Sequence, residues 1–513
     1  MHLPPFTVRV ASVLLGAIAG VAAPTPAVAS PPPVPALDWS VCGQHRECAE
    51  AQVPLDHDHP RGATVTLSLV KVPAGDPDRR IGTVFVNPGG PGSAGADFVR
   101  DFGDELFTPE VRERFDIVGF DPRGVGASTP VRCFDSIAEQ QAFLGALPPF
   151  PVGGAERRTY AEAMRELGSR CRERNGALLD HVSTANAARD LELLRAAVGD
   201  RGLTYAGYSY GALLGLTYAD LYPRRVRALM LDGPVDPVAW TVGRTPAERR
   251  LPFSLRVGSH RASEDALGVF LAACQDATEN CALAAPDTRA RLDGLLAAIL
   301  AAGRVTADTP IGPLDVSYAD VVDALKGALT APGAWSLIAE ILDALEAAVP
   351  VRAERAPVAA GEKEFYDNED EALLAVACSE TGNPRHPAAW DLAARVAERQ
   401  APHFGALWTY LSQACATWPG RDRDRHTGPF TRRPAARTLV VATEHDPAAP
   451  YAGVQRVVRR LPGARLLTLR GAGHLETNVG SACVRDAVED YLVGRIVPAA
   501  GATCDPDTAP FDR

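Results

Sequence analysis

Leu203-Thr204-Tyr205-Ala206-Gly207-Tyr208-Ser209-Tyr210-Gly211-Ala212-Leu213-Leu214-Gly215 is the stretch on which the reading of this chain turns. An apolar run, Leu203 to Ala206, leads into Gly-x-Ser-x-Gly, and a helix-patterned segment, Ala212 to Tyr222, follows before Pro223. Strand, tight turn and helix in that order put Ser209 on a strained corner that presents its hydroxyl at the end of a strand. The glycines have a steric reason, because a side chain at Gly207 or Gly211 collides with the adjoining strand or the following helix. A serine held this way is built to attack, which points to hydrolysis by acyl transfer.

A hydroxyl alone is a weak nucleophile at neutral pH, so a base and an acid are sought among 11 His and 63 Asp plus Glu. Position selects them. Arg437 to Thr443 reads as a buried strand that ends at Glu444-His445-Asp446-Pro447, and Arg465 to Leu469 reads as the next strand. That strand leaves through Gly471-Ala472-Gly473-His474, where small neighbours leave the imidazole open. Ser209, Asp446 and His474 therefore follow the order Ser, Asp, His of the α/β-hydrolases, unlike the orders of the chymotrypsin and subtilisin folds. Two rivals are weaker. His445 is a structural neighbour of Asp446, and Asp232 follows the strand Val226 to Leu231, where some relatives of this fold carry their acid. A catalytically silent binding module would be expected to lose one of the three residues, and all three remain.

The apolar strand Val84 to Asn87 opens into Pro88-Gly89-Gly90-Pro91-Gly92-Ser93-Ala94-Gly95. A glycine-rich loop there lets a backbone N–H approach a carbonyl oxygen, and Gly90 is the expected oxyanion donor together with the N–H of Tyr210. Phosphate binding is disfavoured, since GxxxxGK[ST] is absent and no lysine lies near the loop.

At 513 residues the chain exceeds the roughly 250 to 300 at which a single core stops growing, so a second unit is expected. Strands are read at Thr64 to Val72, Thr83 to Asn87, Asp116 to Phe120, Leu203 to Ala206 and Val226 to Leu231, with the last two after residue 435. Between them Asp265 to Gln275, Ala290 to Ala302, Tyr318 to Leu329 and Trp335 to Ala348 carry apolar residues at i, i+3, i+4. The fold class is therefore α/β, an α/β-hydrolase fold with a mostly parallel central sheet, helices on both faces and a large inserted helical cap. Residues 1–29 read as a signal peptide, 30–239 as the first part of the core, 240–430 as the cap and 431–513 as the C-terminal part of the core. Arg421 to His426 reads as an exposed return loop from cap to core.

The signal peptide rests on Arg9, the apolar run Val10 to Ala23 and Ala27-Val28-Ala29 before Ser30. The run is short of the roughly 20 residues of a membrane span, so a secreted, extracellular protein without a stable membrane anchor is expected. A brief Pro-rich spacer follows Ser30. Ten cysteines in such a chain read as disulfides, and although spacing leaves connectivity open, near neighbours suggest Cys42 with Cys48, Cys133 with Cys171, Cys274 with Cys281, Cys378 with Cys415 and Cys483 with Cys504. No CxxC pair occurs, and Asp56-His57-Asp58-His59 reads as a solvated turn, so no metal and no organic cofactor are implied. The formal charge of −11 argues against a nucleic-acid partner.

Several blocks together resemble the secreted tripeptidyl aminopeptidases of the α/β-hydrolase superfamily, relatives of proline iminopeptidase. They are Asn87-Pro88-Gly89-Gly90-Pro91-Gly92, Gly119-Phe120-Asp121-Pro122-Arg123-Gly124-Val125-Gly126-Ala127-Ser128, Gly207 to Gly211, Leu231-Asp232-Gly233-Pro234-Val235-Asp236-Pro237, Cys378-Ser379-Glu380 and Asp446-Pro447. The chain departs from the family at Pro447-Ala448-Ala449-Pro450, where Val-Thr is more frequent between the prolines. The resemblance implies a serine exopeptidase acting on peptides with a free N-terminus, and a monomer is expected. It singles out Glu380, near the end of the cap, as a carboxylate for the substrate ammonium. A secreted carboxylesterase or lipase is the alternative, because the elbow and oxyanion loop serve esters as well as peptides.

Overall fold

The computed structural model describes residues 32–349 and 366–512. The expected signal peptide and the cleavage point before Ser30 lie outside the described residues. An antiparallel hairpin, β1 (Ser40–Gly43) and β2 (Arg46–Pro54), leads into β3 (Thr64–Val72). The sheet continues with β4 (Gly82–Asn87), β5 (Phe115–Phe120), β6 (Leu203–Tyr208) and β7 (Val226–Asp232). A separate hairpin, β8 (Arg304–Thr309) and β9 (Gly312–Ser317), lies in the insertion, and β10 (Thr438–His445), β11 (Ala464–Ala472) and β12 (Thr503–Cys504) return to the sheet. The spatial order is β1-β2-β3-β5-β4-β6-β7-β10-β11-β12, antiparallel as far as β5 and parallel from there on.

The parallel strands read as unbroken apolar runs because both faces are covered. Val84 and Val86 pack on one face with Ile117, Ala206, Met230 and Val441, while Phe85 turns to the other face with Val118, Tyr205 and Leu229. Register then lines up the ends that matter: Asn87 lies opposite Gly207, and Tyr208 opposite Asp232. The loops that leave β4, β6 and β7 thus emerge at one edge of the sheet, where ligands bind in sheets of this kind.

The expected cap helices are present as Ser259–Ala277, Thr288–Ala302, Tyr318–Leu329 and Trp335–Ala348. The β8–β9 hairpin among them was not expected. Its alternation, with Val305 and Ala307 buried, is too short to stand out beside four helical patterns. Phe270, Trp335 and Leu342 of the insertion belong to the same apolar cluster as Tyr205 and Leu229 of the sheet, and the chain from Pro32 onward forms one compact unit. The insertion helices also pack on one another, with the rings of Phe270 and Trp335 5.4 Å apart.

Two polar segments differ from their sequence reading for a common reason, burial against a partner. In the return segment Asp422 is fully buried, accepting from the Ser183 N–H at 3.0 Å and from Asn186 Nδ2 at 2.9 Å. His426 bonds Asp220 at 2.7 Å. In the Asp56–His59 turn His57 points inward to Asp190, 2.9 Å away, and Asp190 also takes Arg123, both of them without solvent contact. His59 remains exposed and bonds Asp56. All ten cysteines pair, as Cys42–Cys48, Cys133–Cys171, Cys274–Cys281, Cys378–Cys415 and Cys483–Cys504. Among the described residues no helix is long and apolar enough to cross a membrane.

Candidate active site

Ser209 sits between β6 and the helix Tyr210–Leu221 with φ 54° and ψ −119°, a left-handed conformation that costs a non-glycine residue about 1 to 3 kcal/mol. The surroundings hold it there. Its N–H donates to the main-chain oxygen of Asp232 at 2.9 Å. A Cβ on Gly207 would lie 2.4 Å from the Gly211 oxygen, and one on Gly211 would lie 2.2 Å from the Asn87 oxygen. Both glycines are thus required by backbone contact, and the serine is pressed into the open.

The loop after β4 leans on this corner. Gly89, at φ +114°, has room for no Cβ, which would stand 2.6 Å from the Tyr208 oxygen and 3.1 Å from the Tyr210 nitrogen. Asn87 Oδ1 accepts the Gly89 N–H at 3.2 Å and fixes the start of the turn. Gly90 follows at φ +95°. The two expected oxyanion donors, Gly90 and Tyr210, therefore belong to segments in direct backbone contact.

Asp446 and His474 meet at the ends of β10 and β11. His474 Nδ1 lies 2.8 Å from Asp446 Oδ2, and Asp446 Oδ1 accepts the N–H groups of Ala448 and Ala449, each at 2.8 Å. The Pro-Ala-Ala-Pro variation thus supplies backbone donors to the acid. Burial alone would depress the His474 pKa, but the charge and hydrogen bond of Asp446 outweigh it, and the imidazole ends above its ordinary value. With Nδ1 committed to Asp446, Nε2 is the nitrogen left to take a proton. The cap takes part as well: the His474 N–H donates to the Thr330 oxygen at 2.8 Å. Gly473 admits Pro332 to a place where any Cβ would lie within 2.9 Å of it.

Gly233 ties this pair to the elbow. It follows Asp232, whose oxygen holds Ser209, and its φ of +56° brings a notional Cβ to 3.3 Å from His474 Cε1 and 3.5 Å from Asp446 Oδ2. Asp232, the rival acid, makes no hydrogen bond to His474 among the described residues. Its Oδ2 accepts the Glu476 N–H at 2.7 Å, and burial pushes its carboxyl up to about 7. His445, the rival base, instead bonds Asp265 of the cap at 2.6 Å.

Glu380, the carboxylate expected for a substrate ammonium, is 3% exposed. Its Oε1 accepts Thr184 Oγ1 at 2.8 Å and Trp240 Nε1 at 2.6 Å, and its Oε2 accepts the Thr184 N–H at 2.8 Å. Thr184 Oγ1 in turn bonds the Tyr210 hydroxyl at 2.7 Å, so this carboxyl braces the residue that follows Ser209. Burial pushes it up to about 7. Among the described residues no arginine pairs with it. A cavity of about 560 Å³ lies beside the glycine-rich loop, bordered by Pro88, Gly92 and Ser93, by Asp97, Asp101, Asp367 and Glu369, and by Arg132. Thr184 and Trp240 escaped the sequence reading because they reach Glu380 across 196 and 140 residues, with no local pattern to mark them.

Similarity to known proteins agrees with this geometry. A family model for TAP-like protein matches residues 401–504, and one for the α/β hydrolase fold matches residues 82–253. The tripeptidyl aminopeptidase of Streptomyces lividans is 30% identical over 496 residues, covering 92% of this chain and 87% of the relative. The serine protease Hip1 of Mycobacterium tuberculosis is 31% identical, over 89% of this chain and 87% of its own. Carboxylesterase B of the same organism is 31% identical, over 93% and 91%. With a nucleophile elbow, an Asp–His pair at the following strand ends and relatives aligned over nearly its whole length, the chain belongs to the tripeptidyl aminopeptidase family of serine peptidases with the α/β-hydrolase fold.

Proposed function

We propose that the protein is an exported aminopeptidase that releases tripeptides or other short peptides from free N-termini. Ser209 is the nucleophile. His474 takes its proton through Nε2, the alkoxide attacks the scissile carbonyl, and the Gly90 and Tyr210 N–H groups receive the oxyanion. Asp446 orients His474 and stabilises its cation. His474 then hands the proton to the departing amine, and water, activated by the same base, hydrolyses the acyl-enzyme. No step calls for a metal or a cofactor.

The observation that carries the reading is the 2.8 Å Asp446–His474 contact beside a left-handed serine. The choice of peptides over esters draws on the family and on the acidic cavity against the glycine-rich loop. Asp97, Asp101, Asp367 and Glu369 outnumber the one arginine of the lining, Arg132, and Asp97 pairs with Arg100, so the net charge there favours a substrate ammonium. Five disulfides accord with an oxidising, extracellular setting. The second reading, a carboxylesterase, is favoured by the relative of that name.

One comparison separates them: turnover of tripeptide anilides, single aminoacyl anilides, their N-acetylated forms and short acyl esters. An aminopeptidase loses most of its activity on N-acetylation. An enzyme indifferent to N-acetylation, and faster on esters than on every peptide by orders of magnitude, would be the carboxylesterase.

A further inference from the structure

Asp232 has no part in the acyl-transfer scheme, yet it touches both halves of the site. Its main-chain oxygen accepts the Ser209 N–H at 2.9 Å, and its carboxylate Oδ2 accepts the Glu476 N–H at 2.7 Å, two residues beyond His474. The residue between, Leu475, stands at φ 72°, a left-handed conformation foreign to a leucine, so the turn that carries the base is strained and needs an external tie. Asp232 supplies it. Among the described residues the other carboxylate oxygen, Oδ1, is buried without a partner. An apolar residue of similar shape would avoid that penalty, so its presence asks for a use.

We infer that Asp232 is a positioning residue for the reaction, holding nucleophile and base at a fixed separation by bonding the backbone of each. The inference rests on the assignment of Ser209 and His474 given above. The two bonds are mechanically linked. Asp232 ends β7, between the nucleophile strand β6 and β10, so a shift of the His474 turn is felt at the Ser209 corner and resisted by the sheet. The carboxyl also acts through its charge. It faces Tyr208 on β6, His474 and Asp446 on their loops, Glu476 on the short helix, and Arg485 and Glu489 on the helix Ala482–Gly494. Burial raises it to about 7, and when ionised it adds to the field that keeps a proton on His474.

The test compares Asp232→Ala with Asp232→Asn in the full mature chain, by steady-state kinetics and by the rate of labelling with a fluorophosphonate. Asp232→Ala loses the tie, so kcat and the labelling rate should fall by about tenfold or more while KM stays within about twofold. Asp232→Asn keeps an amide oxygen for the Glu476 N–H and should recover most of kcat. Lacking the anion, it should also move the acidic limb of the pH profile to lower pH. A folded Asp232→Ala variant with wild-type kcat and labelling would overturn the inference, as would an Asn variant no better than Ala. If the Ala variant does not fold, the Asn variant decides alone: a kcat below about a third of wild type, or an unmoved pH profile, counts against the role. Failure of the triad assignment would look different, as turnover surviving in Ser209→Ala or His474→Ala.

Discussion

Asp446 divides its two oxygens between unlike tasks, Oδ2 to His474 Nδ1 at 2.8 Å and Oδ1 to the N–H groups of Ala448 and Ala449. The backbone donors hold the carboxylate still, and the held carboxylate fixes which imidazole nitrogen carries the proton. In Asp446→Asn the side-chain oxygen can serve only one of these tasks and the amide nitrogen faces the other. The imidazole then adopts the wrong tautomer, and kcat should fall by about 10⁴-fold with little change in thermal stability. Loss of less than about tenfold, measured by single-turnover kinetics, would mean that another acid supports the base.

Ser209→Ala should reduce kcat/KM by at least about 10³-fold and abolish covalent labelling by a fluorophosphonate. Labelling retained in that variant, located by peptide mass mapping, would place the nucleophile elsewhere.

The pH dependence follows from His474. It must be neutral to accept the serine proton, and its pKa is raised above the ordinary 6.5 because the charge of Asp446 outweighs burial. In wild type kcat/KM should fall as pH drops through a midpoint above 6.5, by about tenfold per pH unit beyond it. An acidic limb below about 6 would show that the His474 pKa is not raised.

Glu380 makes stability, and not only catalysis, depend on pH. Its folded-state carboxyl is raised to about 7 against an ordinary 4.5, so the native chain binds the proton more tightly than the unfolded chain. That contribution is full below the unfolded value and is lost as pH rises towards 7. The stability advantage of wild type over Glu380→Gln should therefore shrink by at least about 1 kcal/mol between pH 4.5 and pH 8. Urea denaturation at the two pH values checks it, and an advantage that grows with pH would reverse the sign of the argument.

Cys378 and Cys415, 37 residues apart in sequence, clamp the helix that ends at Glu380 to the last part of the insertion. Replacing both by serine should cost about 3 to 4 kcal/mol if chain entropy dominates. Intact-mass analysis after alkylation of the native protein should find no free thiol; two or more would break the pairing scheme.

The elements nearest to the chemistry were legible in the sequence because local sterics dictate them. A left-handed serine between a strand and a helix needs glycine at 207 and 211, and those residues appear as a pentapeptide. Continuous apolar runs at Val84, Leu203 and Leu439 mark strands covered on both faces, and cysteines spaced within a few turns can reach one another. Asp446 and His474 were readable as strand ends in the right order. What no local pattern encodes is the environment that a residue acquires from distant segments. Glu380 reads in the sequence as a carboxylate for a substrate ammonium, and only the fold shows Thr184 and Trp240 bonded to it. Asp422 and His57 looked solvated and were drawn inward by Asn186 and Asp190. The tie from Asp232 to Glu476 spans 244 residues. A sequence determines which backbone shapes its own neighbours allow; burial, and with it the charge state and role of a carboxyl, is decided only when the sheet and its insertion come together.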